Sequence, residues 1–288
     1  MESFTIQLTN GLLVGTTIAL TALGLSLVFG ILHIVNLAHG EFYMTGAYLC
    51  WAFNAWLGNF WLAVPLATVC TALLGSALLM MFFRKMLGSG PLRWALLTLG
   101  FGYVLREVVQ HVFGIDFKLV DLPVEGTLPF LGGAYRFLVM CLGLALILGL
   151  YLFLAHSPQG LLIRAVASNE EAATVVGVST ARVYFLVCLV SAGLAGAAGA
   201  FMLPVTSAYP TMGLEILIMA FVVVVVGGMG NVRGTLLASL LAGVMQAMLS
   251  LALKPSVASL VTLLTLNQHG LVGDVPSTPV DVSYLADS

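Results

Sequence analysis

Long apolar segments separated by short polar ones make up most of the chain. The first runs from Leu8 to Phe29, and comparable runs recur as far as Leu253. A helix needs about 20 apolar residues to cross the roughly 30 Å hydrocarbon core of a bilayer. Since these runs are continuous rather than alternating, and since lipid offers backbone N–H and C=O groups no partners, they predict membrane-spanning helices rather than barrel strands.

The runs predict an all-α, polytopic transmembrane helical bundle of about eight spans. The predicted spans are 8–29, a segment ending near residue 57, 65–83, 95–113, 137–154, a span rich in small residues around 191–201, 214–226 and 235–253. Residues 1–266 are assigned to this transmembrane domain, although 256–266 supply only about half of a crossing. The final residues, 267–288, are rich in Asp, Pro, Ser and Thr and are predicted to form a disordered tail.

Polar residues interrupt one of the most apolar regions, where a broken or re-entrant segment is predicted near residues 31–42. An ionisable side chain at the membrane centre costs about 2.5 to 3.5 kcal/mol on insertion scales, so by default it faces protein or water. The residues concerned are Asn36, His39, Gly40 and Glu41. They either line a translocation pathway or form a structural turn in which Asn36 caps a helix and Glu41 lies in its first turn. For His39 alone, a hydrogen-bonded structural histidine is the favoured interpretation.

The longest polar segment between spans, about 156–182, is predicted to be a cytoplasmic loop. The positive-inside rule puts the basic loop 84–93 in the cytoplasm, and the succession of spans brings 156–182 to the same side. This is where the chain is expected to meet a soluble partner.

Within this loop, "NEEAATVVG" predicts a helix of about two turns. Ser168 or Asn169 can cap it. Glu170 and Glu171 complement the helix dipole in the first turn, and Gly177 can end the helix. An ordinary interfacial loop helix fits the same pattern as a helix that contacts a partner.

Two further segments carry a packing signal rather than a chemical one. Ala192, Gly196 and Ala200 recur at helical spacing, so another helix can approach closely, either within the chain or across a subunit interface. The segment "GGMGNVRG" (227–234) lacks the Gly-Lys-Ser/Thr ending of a P-loop and is predicted to be a tight cytoplasmic turn.

Composition excludes several function classes. The chain is 60% hydrophobic and 8% charged, with a net charge of −2 and no basic block, so nucleic acid is not an expected partner. The four cysteines lie in apolar runs without CxxC spacing, which predicts packing residues rather than a metal site or disulfides. No Ser/His/Asp arrangement, pair of catalytic carboxylates or His/Cys ligand spacing occurs, so neither an enzyme nor a cofactor is expected, and an intramembrane enzyme stays only as a third hypothesis.

Several segments together resemble one family, the permease subunits of the ATP-binding-cassette importers for branched-chain amino acids. "NGLLVGTTIALTALGLSLVFGILHIVNLAHGEFYMTGAYL" is similar to the most recognisable block of that family, with its Asn-x-Ala-His-Gly-Glu element. "VVGGMGNVRGTLLASLLAG" resembles its Gly-Gly-x-Gly turn and following span. The resemblance covers roughly 8–253. It departs at "VCLV" (187–190), where the general importer pattern has a proline, and at the C-terminal end.

The segment "RAVASNEEAATVVGVSTARV" looks like the cytoplasmic coupling loop of this family. It contains the importer pattern Glu-Ala-Ala-x-x-x-Gly as Glu171, Ala172, Ala173 and Gly177. The resemblance implies a bacterial inner-membrane protein that works with a second homologous permease, two cytoplasmic ATP-binding subunits and a periplasmic or extracellular solute-binding protein. The solute would be a branched-chain amino acid, urea, an amide or an aromatic acid.

One alternative function belongs to a different class. A self-sufficient secondary transporter or channel could use Glu41 and His39 as a proton or ion relay. It would take up solute without ATPase partners, and the coupling-loop pattern argues against it.

Overall fold

The chain is described here by a computed structural model, which covers residues 2–86, 90–128, 131–250, 261, 262 and 265. Its helices are α1 (Glu2–Leu32), α2 (His39–Leu57), α3 (Phe60–Met86), α4 (Pro91–Phe113), α5 (Ala134–His156), α6 (Pro158–Ser168), α7 (Glu170–Val175), α8 (Thr180–Thr206), α9 (Met212–Gly227) and α10 (Val232–Leu249). A hairpin of two short antiparallel strands, β1 (Thr127–Leu128) and β2 (Gly132–Gly133), precedes α5.

The long helices correspond to the predicted spans. Five of them, α1, α3, α5, α8 and α10, are long and apolar enough to cross a membrane, and α9 is a shorter apolar helix. With α2 and α4, they account for about eight membrane segments in the described part of the chain, as predicted. The short helix α6 was not predicted, although Ser157 and Pro158 form a typical helix start.

Helix α1 runs antiparallel to α10 along its whole length. A side chain at Gly11 would come within 2.9 Å of Val244, and one at Gly30 within 2.8 Å of Gly230. The start of α1 therefore lies at the end of the bundle opposite to the turn between α9 and α10. The end of the bundle that contains this turn holds six of the ten Lys and Arg residues of the chain: Arg84, Lys85, Arg93, Arg164, Arg182 and Arg233. By the positive-inside rule this end is cytoplasmic, and α1 begins on the outer side.

The small residues of α8 pack inside the chain. Ala192 and Ala200 are completely buried, and α8 lies against both α2 and α3. A side chain at Gly46 of α2 would come within 2.5 Å of the Gly196 Cα atom, so the two backbones touch. The stripe Ala192, Gly196 and Ala200 thus joins helices of one chain.

Cys141 is exposed on α5, so the prediction that all four cysteines are packing residues is wrong for this one. Its run is apolar because α5 presents most of its surface outward, not because it is buried in the bundle. The predicted tail 267–288 lies outside the described residues.

Candidate functional site

The predicted break is a non-helical segment, residues 33–38, between α1 and α2. Asn36 is completely buried, and its Oδ1 atom accepts a hydrogen bond of 3.1 Å from the Ala38 amide. The Leu37 amide donates to the Thr98 hydroxyl of α4 at 3.0 Å. The helix N-cap is Ala38, not Asn36, so the prediction that Asn36 caps the helix is wrong. Asn36 instead stabilises the turn that leads to the helix.

His39 joins three helices at the centre of the bundle. Its ring is completely buried, and Nε2 lies 2.9 Å from the Thr21 carbonyl of α1. Because a carbonyl can only accept, Nε2 is the protonated nitrogen. Nδ1 lies 3.5 Å from the Ser191 hydroxyl of α8, which donates to the Gly24 carbonyl at 2.8 Å.

Gly40 allows α2 and α9 to meet. A Cβ atom at this position would overlap the Gly213 carbonyl oxygen of α9 and approach the Leu217 side chain to 2.7 Å. Only glycine fits here without a shift of one helix.

Glu41 forms a buried ion pair with Arg106, in which an Nη2 hydrogen of Arg106 is donated to Oε1 of Glu41. The side chains are only 4% and 14% exposed, respectively. The second carboxylate oxygen and the Arg106 Nε atom have no hydrogen-bond partner among the described residues. Sequence reasoning missed Arg106, although it is the only Lys or Arg in the apolar run 95–113.

These four residues are therefore packed within the bundle, and none of them lines either of the two larger cavities described below. Glu41 contacts α4, His39 contacts α1 and α8, and Gly40 contacts α9, while Asn36 accepts a hydrogen bond from the Ala38 amide within the break. This geometry supports the structural interpretation of the segment.

A cavity of about 600 Å3 lies in the outer half of the bundle, between α1, α2, α8, α9 and α10. Its walls are mostly apolar, with Ile18, Met202 and Ile216 among them. Among the described residues that line it, Glu215 in the first turn of α9 is the one that carries a charge. Sequence reasoning did not select Glu215, since an acidic residue in the first turn of a helix is an ordinary dipole partner.

Glu215 is held by two hydroxyl groups from the segment that connects α8 to α9. The Tyr209 hydroxyl donates to Oε2 at 2.8 Å, and the Thr211 hydroxyl lies 3.5 Å from Oε1. Burial raises the pKa of Tyr209 to about 12, and Glu215 adds to the shift, so the phenol keeps its proton and remains a donor. The carboxylate itself is exposed to the cavity.

The predicted cytoplasmic helix is α7, whose six residues are fewer than the two turns expected. Asn169 caps it, because its Oδ1 atom accepts a 2.9 Å hydrogen bond from the Ala172 amide. Gly177 follows the helix with φ +89°, a left-handed conformation that favours glycine. Ala173 is buried beneath the helix, while Val175 and Val176 are 87% and 79% exposed.

Comparison with known proteins identifies the class of molecule. Residues 7–266 match the family described as branched-chain amino acid transport system / permease component. The chain belongs to this family. It is a multi-pass permease of an importer in the bacterial inner membrane, which confirms the sequence-based prediction of family, fold class and location. No group of three or more His, Cys, Asp or Glu residues that could hold a metal occurs within the described ranges.

Relatives of this permease include proteins from distant organisms. It is 28% identical to the high-affinity branched-chain amino acid transport system permease protein BraD of Pseudomonas aeruginosa over 84% of each chain. It is 27% identical to LivH of Escherichia coli strain K12, over 93% of this chain and 94% of LivH. A probable branched-chain amino acid transport permease protein of Methanocaldococcus jannaschii is 25% identical over 84% of this chain and 80% of its own. No solved structure matches the chain.

Proposed function

We propose that this permease imports branched-chain amino acids or a related small solute as one of two permease subunits in an ATP-driven complex. Two separate cytoplasmic subunits would hydrolyse ATP, and an external binding protein would deliver the solute. The names of BraD and LivH support this solute class, since both are high-affinity branched-chain amino acid permeases.

Helix α7 is the feature that supports ATP hydrolysis by a separate protein. It is capped and ends in two exposed valines on the cytoplasmic side, between α6 and the long helix α8. Exposed apolar side chains at a helix end suit a groove on a partner protein. The backbone connection through residues 176–179 then transmits movement of α7 to α8, which lies in the centre of the bundle. We assign the coupling role to Glu170, Glu171, Ala172, Ala173 and Gly177.

The outer cavity is the proposed solute site. A carboxylate exposed within an apolar wall suits the ammonium group of an amino acid, and the surrounding aliphatic side chains suit a branched side chain. An exposed Glu215 beside apolar helices would be unfavourable against lipid, so this face of the bundle is expected to meet water or the second permease.

Photocrosslinking tests the coupling role. A photoreactive amino acid replaces Val175 in one variant and Val112, which is 64% exposed on α4 near the outer end, in a control. After irradiation of membranes that contain the whole transport system, an adduct with an ATP-binding subunit is expected from position 175 and not from 112. Absence of any ATPase adduct from position 175 would contradict the assignment.

The alternative of a self-sufficient transporter has less support. His39 is hydrogen-bonded to the Thr21 carbonyl, and Glu41 is paired with Arg106. Neither side chain is therefore available to bind and release a transported proton or ion. Uptake by this chain in cells that lack the ATPase subunits would favour this alternative.

A further inference from the structure

A second cavity, of about 500 Å3, opens at the cytoplasmic end of the bundle. Helices α1, α5 and α6 and the start of α10 form its walls. None of the residues of α7 lines it.

Two arginines give this cavity a positive charge. Arg164 of α6 and Arg233 of α10 both line it, and no acidic residue does. Within the described ranges neither guanidinium has a carboxylate within 4.0 Å, since the ion pair found there joins Glu41 to Arg106. Among the described residues, the hydrogen bond of Arg233 goes to a neutral group, the Tyr151 hydroxyl, at 3.5 Å. Two guanidinium groups at one cavity offer a fork of N–H donors that matches the oxygens of a phosphate.

Most of the remaining wall of the cavity is apolar, although Ser26 and Asn231 also line it. Its apolar lining residues include Leu27, Ile31 and Leu154. Contact with these side chains would not stabilise a hydrated anion. Tyr151 lies at its edge on α5, and the same face of α5 continues toward the outer side as Leu148 and Leu144, which are 57% and 41% exposed. An apolar stripe thus leads from the membrane-facing surface of α5 to the two arginines.

We propose that this cavity binds an anionic phospholipid of the cytoplasmic leaflet. Arg164 and Arg233 hold its phosphate, and its acyl chains lie on the α5 stripe. A basic pocket between spanning helices on the cytoplasmic side is a favourable place for such a headgroup, because the surface of this leaflet is rich in anionic lipid. The combination of paired arginines and a continuous apolar stripe fits a lipid better than a soluble anion or the polar surface of an ATPase.

Lipid retention tests the proposal. The complete transport complex is purified in mild detergent, and phosphatidylglycerol bound per complex is measured by mass spectrometry. The Arg164→Gln/Arg233→Gln variant is expected to retain at least about fivefold less lipid per complex than the wild type. Two control variants are expected to retain most of the lipid. Arg93→Gln/Arg182→Gln removes the same charge at the same end of the bundle, and Arg164→Lys/Arg233→Lys keeps the charge in the cavity. Gel filtration of each variant separates lipid loss from misfolding.

Thermal unfolding distinguishes the sources of the phosphate. Phosphatidylglycerol is expected to raise the unfolding midpoint of the delipidated wild-type complex, whereas phosphatidylcholine and inorganic phosphate leave it unchanged. An equal rise with inorganic phosphate would overturn the lipid assignment in favour of a general anion site. Equal lipid retention by the Gln/Gln variant and the wild type would also overturn it.

Discussion

Glu41 and Arg106 form an ion pair that ties the start of α2 to the middle of α4 within the bundle. The pair joins residues 65 positions apart, and Glu41 follows closely after the break between α1 and α2. Removal of one partner of such a pair leaves the other charge buried without compensation, at a cost of about 3–5 kcal/mol. The pair is therefore expected to matter more for folding than for contact with solute.

Arg106→Met is predicted to lower the amount of folded complex severely, because the Glu41 carboxylate then lacks its counter-charge. Glu41→Gln is also predicted to lower the amount of folded complex, because it leaves the Arg106 guanidinium buried without a counter-charge. The double variant Glu41→Gln/Arg106→Met removes both charges and is predicted to recover much of the yield. The measurement is the monodisperse complex obtained per cell. A double variant as poor as the sum of the two single ones, or a Glu41→Gln variant that folds normally but transports nothing, would contradict the structural role.

Gly40→Ala is predicted to destabilise the bundle, because its Cβ atom overlaps the backbone of α9 at Gly213. Overpacking of this kind costs about 1–3 kcal/mol where side chains can adjust, and more where the obstacle is backbone. Gly149→Ala on α5 is the matched control, since nothing lies within 4 Å of its Cβ position. The unfolding midpoint of the purified complex should fall for Gly40→Ala alone. Equal midpoints for both variants would show that α2 and α9 are not in contact here.

Glu171→Lys and Gly177→Pro are predicted to uncouple ATP hydrolysis from uptake. The first reverses a charge in the first turn of α7, and the second puts proline where φ is +89°. Glu125→Lys makes the same charge change in an exposed loop at the opposite end and serves as the control. ATPase assembly and solute uptake are measured on the same membranes. Normal assembly and uptake in the Glu171 and Gly177 variants would remove α7 from the mechanism.

Glu215→Gln is predicted to slow uptake of an amino acid about tenfold while the complex remains assembled. A hydrogen bond to a charged group contributes about 1.5–3 kcal/mol, and the ammonium would lose that interaction. Glu107→Gln removes another exposed carboxylate, on α4 and away from the cavity, and is expected to transport normally. Rates are compared at saturating solute-loaded binding protein. Equal rates for the two variants would exclude Glu215 from the solute site.

Most of the apolar runs predict the helix bounds within a few residues, although α8 begins at Thr180, well before the run around 191–201. The run 137–154 becomes Ala134–His156, and 214–226 becomes Met212–Gly227, because length and apolarity are local properties that lipid enforces. The cap of α7 was also predictable, since Asn169 binds an amide only three residues away. Small residues of α8 predicted close packing, but not that the neighbours are α2 and α3.

The partners of the polar residues were not predictable from local pattern. The packing of α2 against α4 brings Glu41 and Arg106 together. The local sequence around either residue does not indicate its partner. Glu215 belongs to the outer cavity only because five helices converge there. His39 was expected to be a hydrogen-bonded histidine, yet its acceptor at Thr21 lies on another helix. Such contacts depend on tertiary arrangement, which a single sequence does not encode in its periodicity.

This permease is proposed to move solute only when separate subunits hydrolyse ATP. The direct measurement is uptake of radiolabelled leucine into proteoliposomes that contain this chain, its permease partner and the two ATPases, with loaded binding protein outside. Uptake is predicted with ATP inside and not without it, or when the ATPases are omitted. Leucine accumulation by the permeases alone, driven by an ion gradient, would contradict the account.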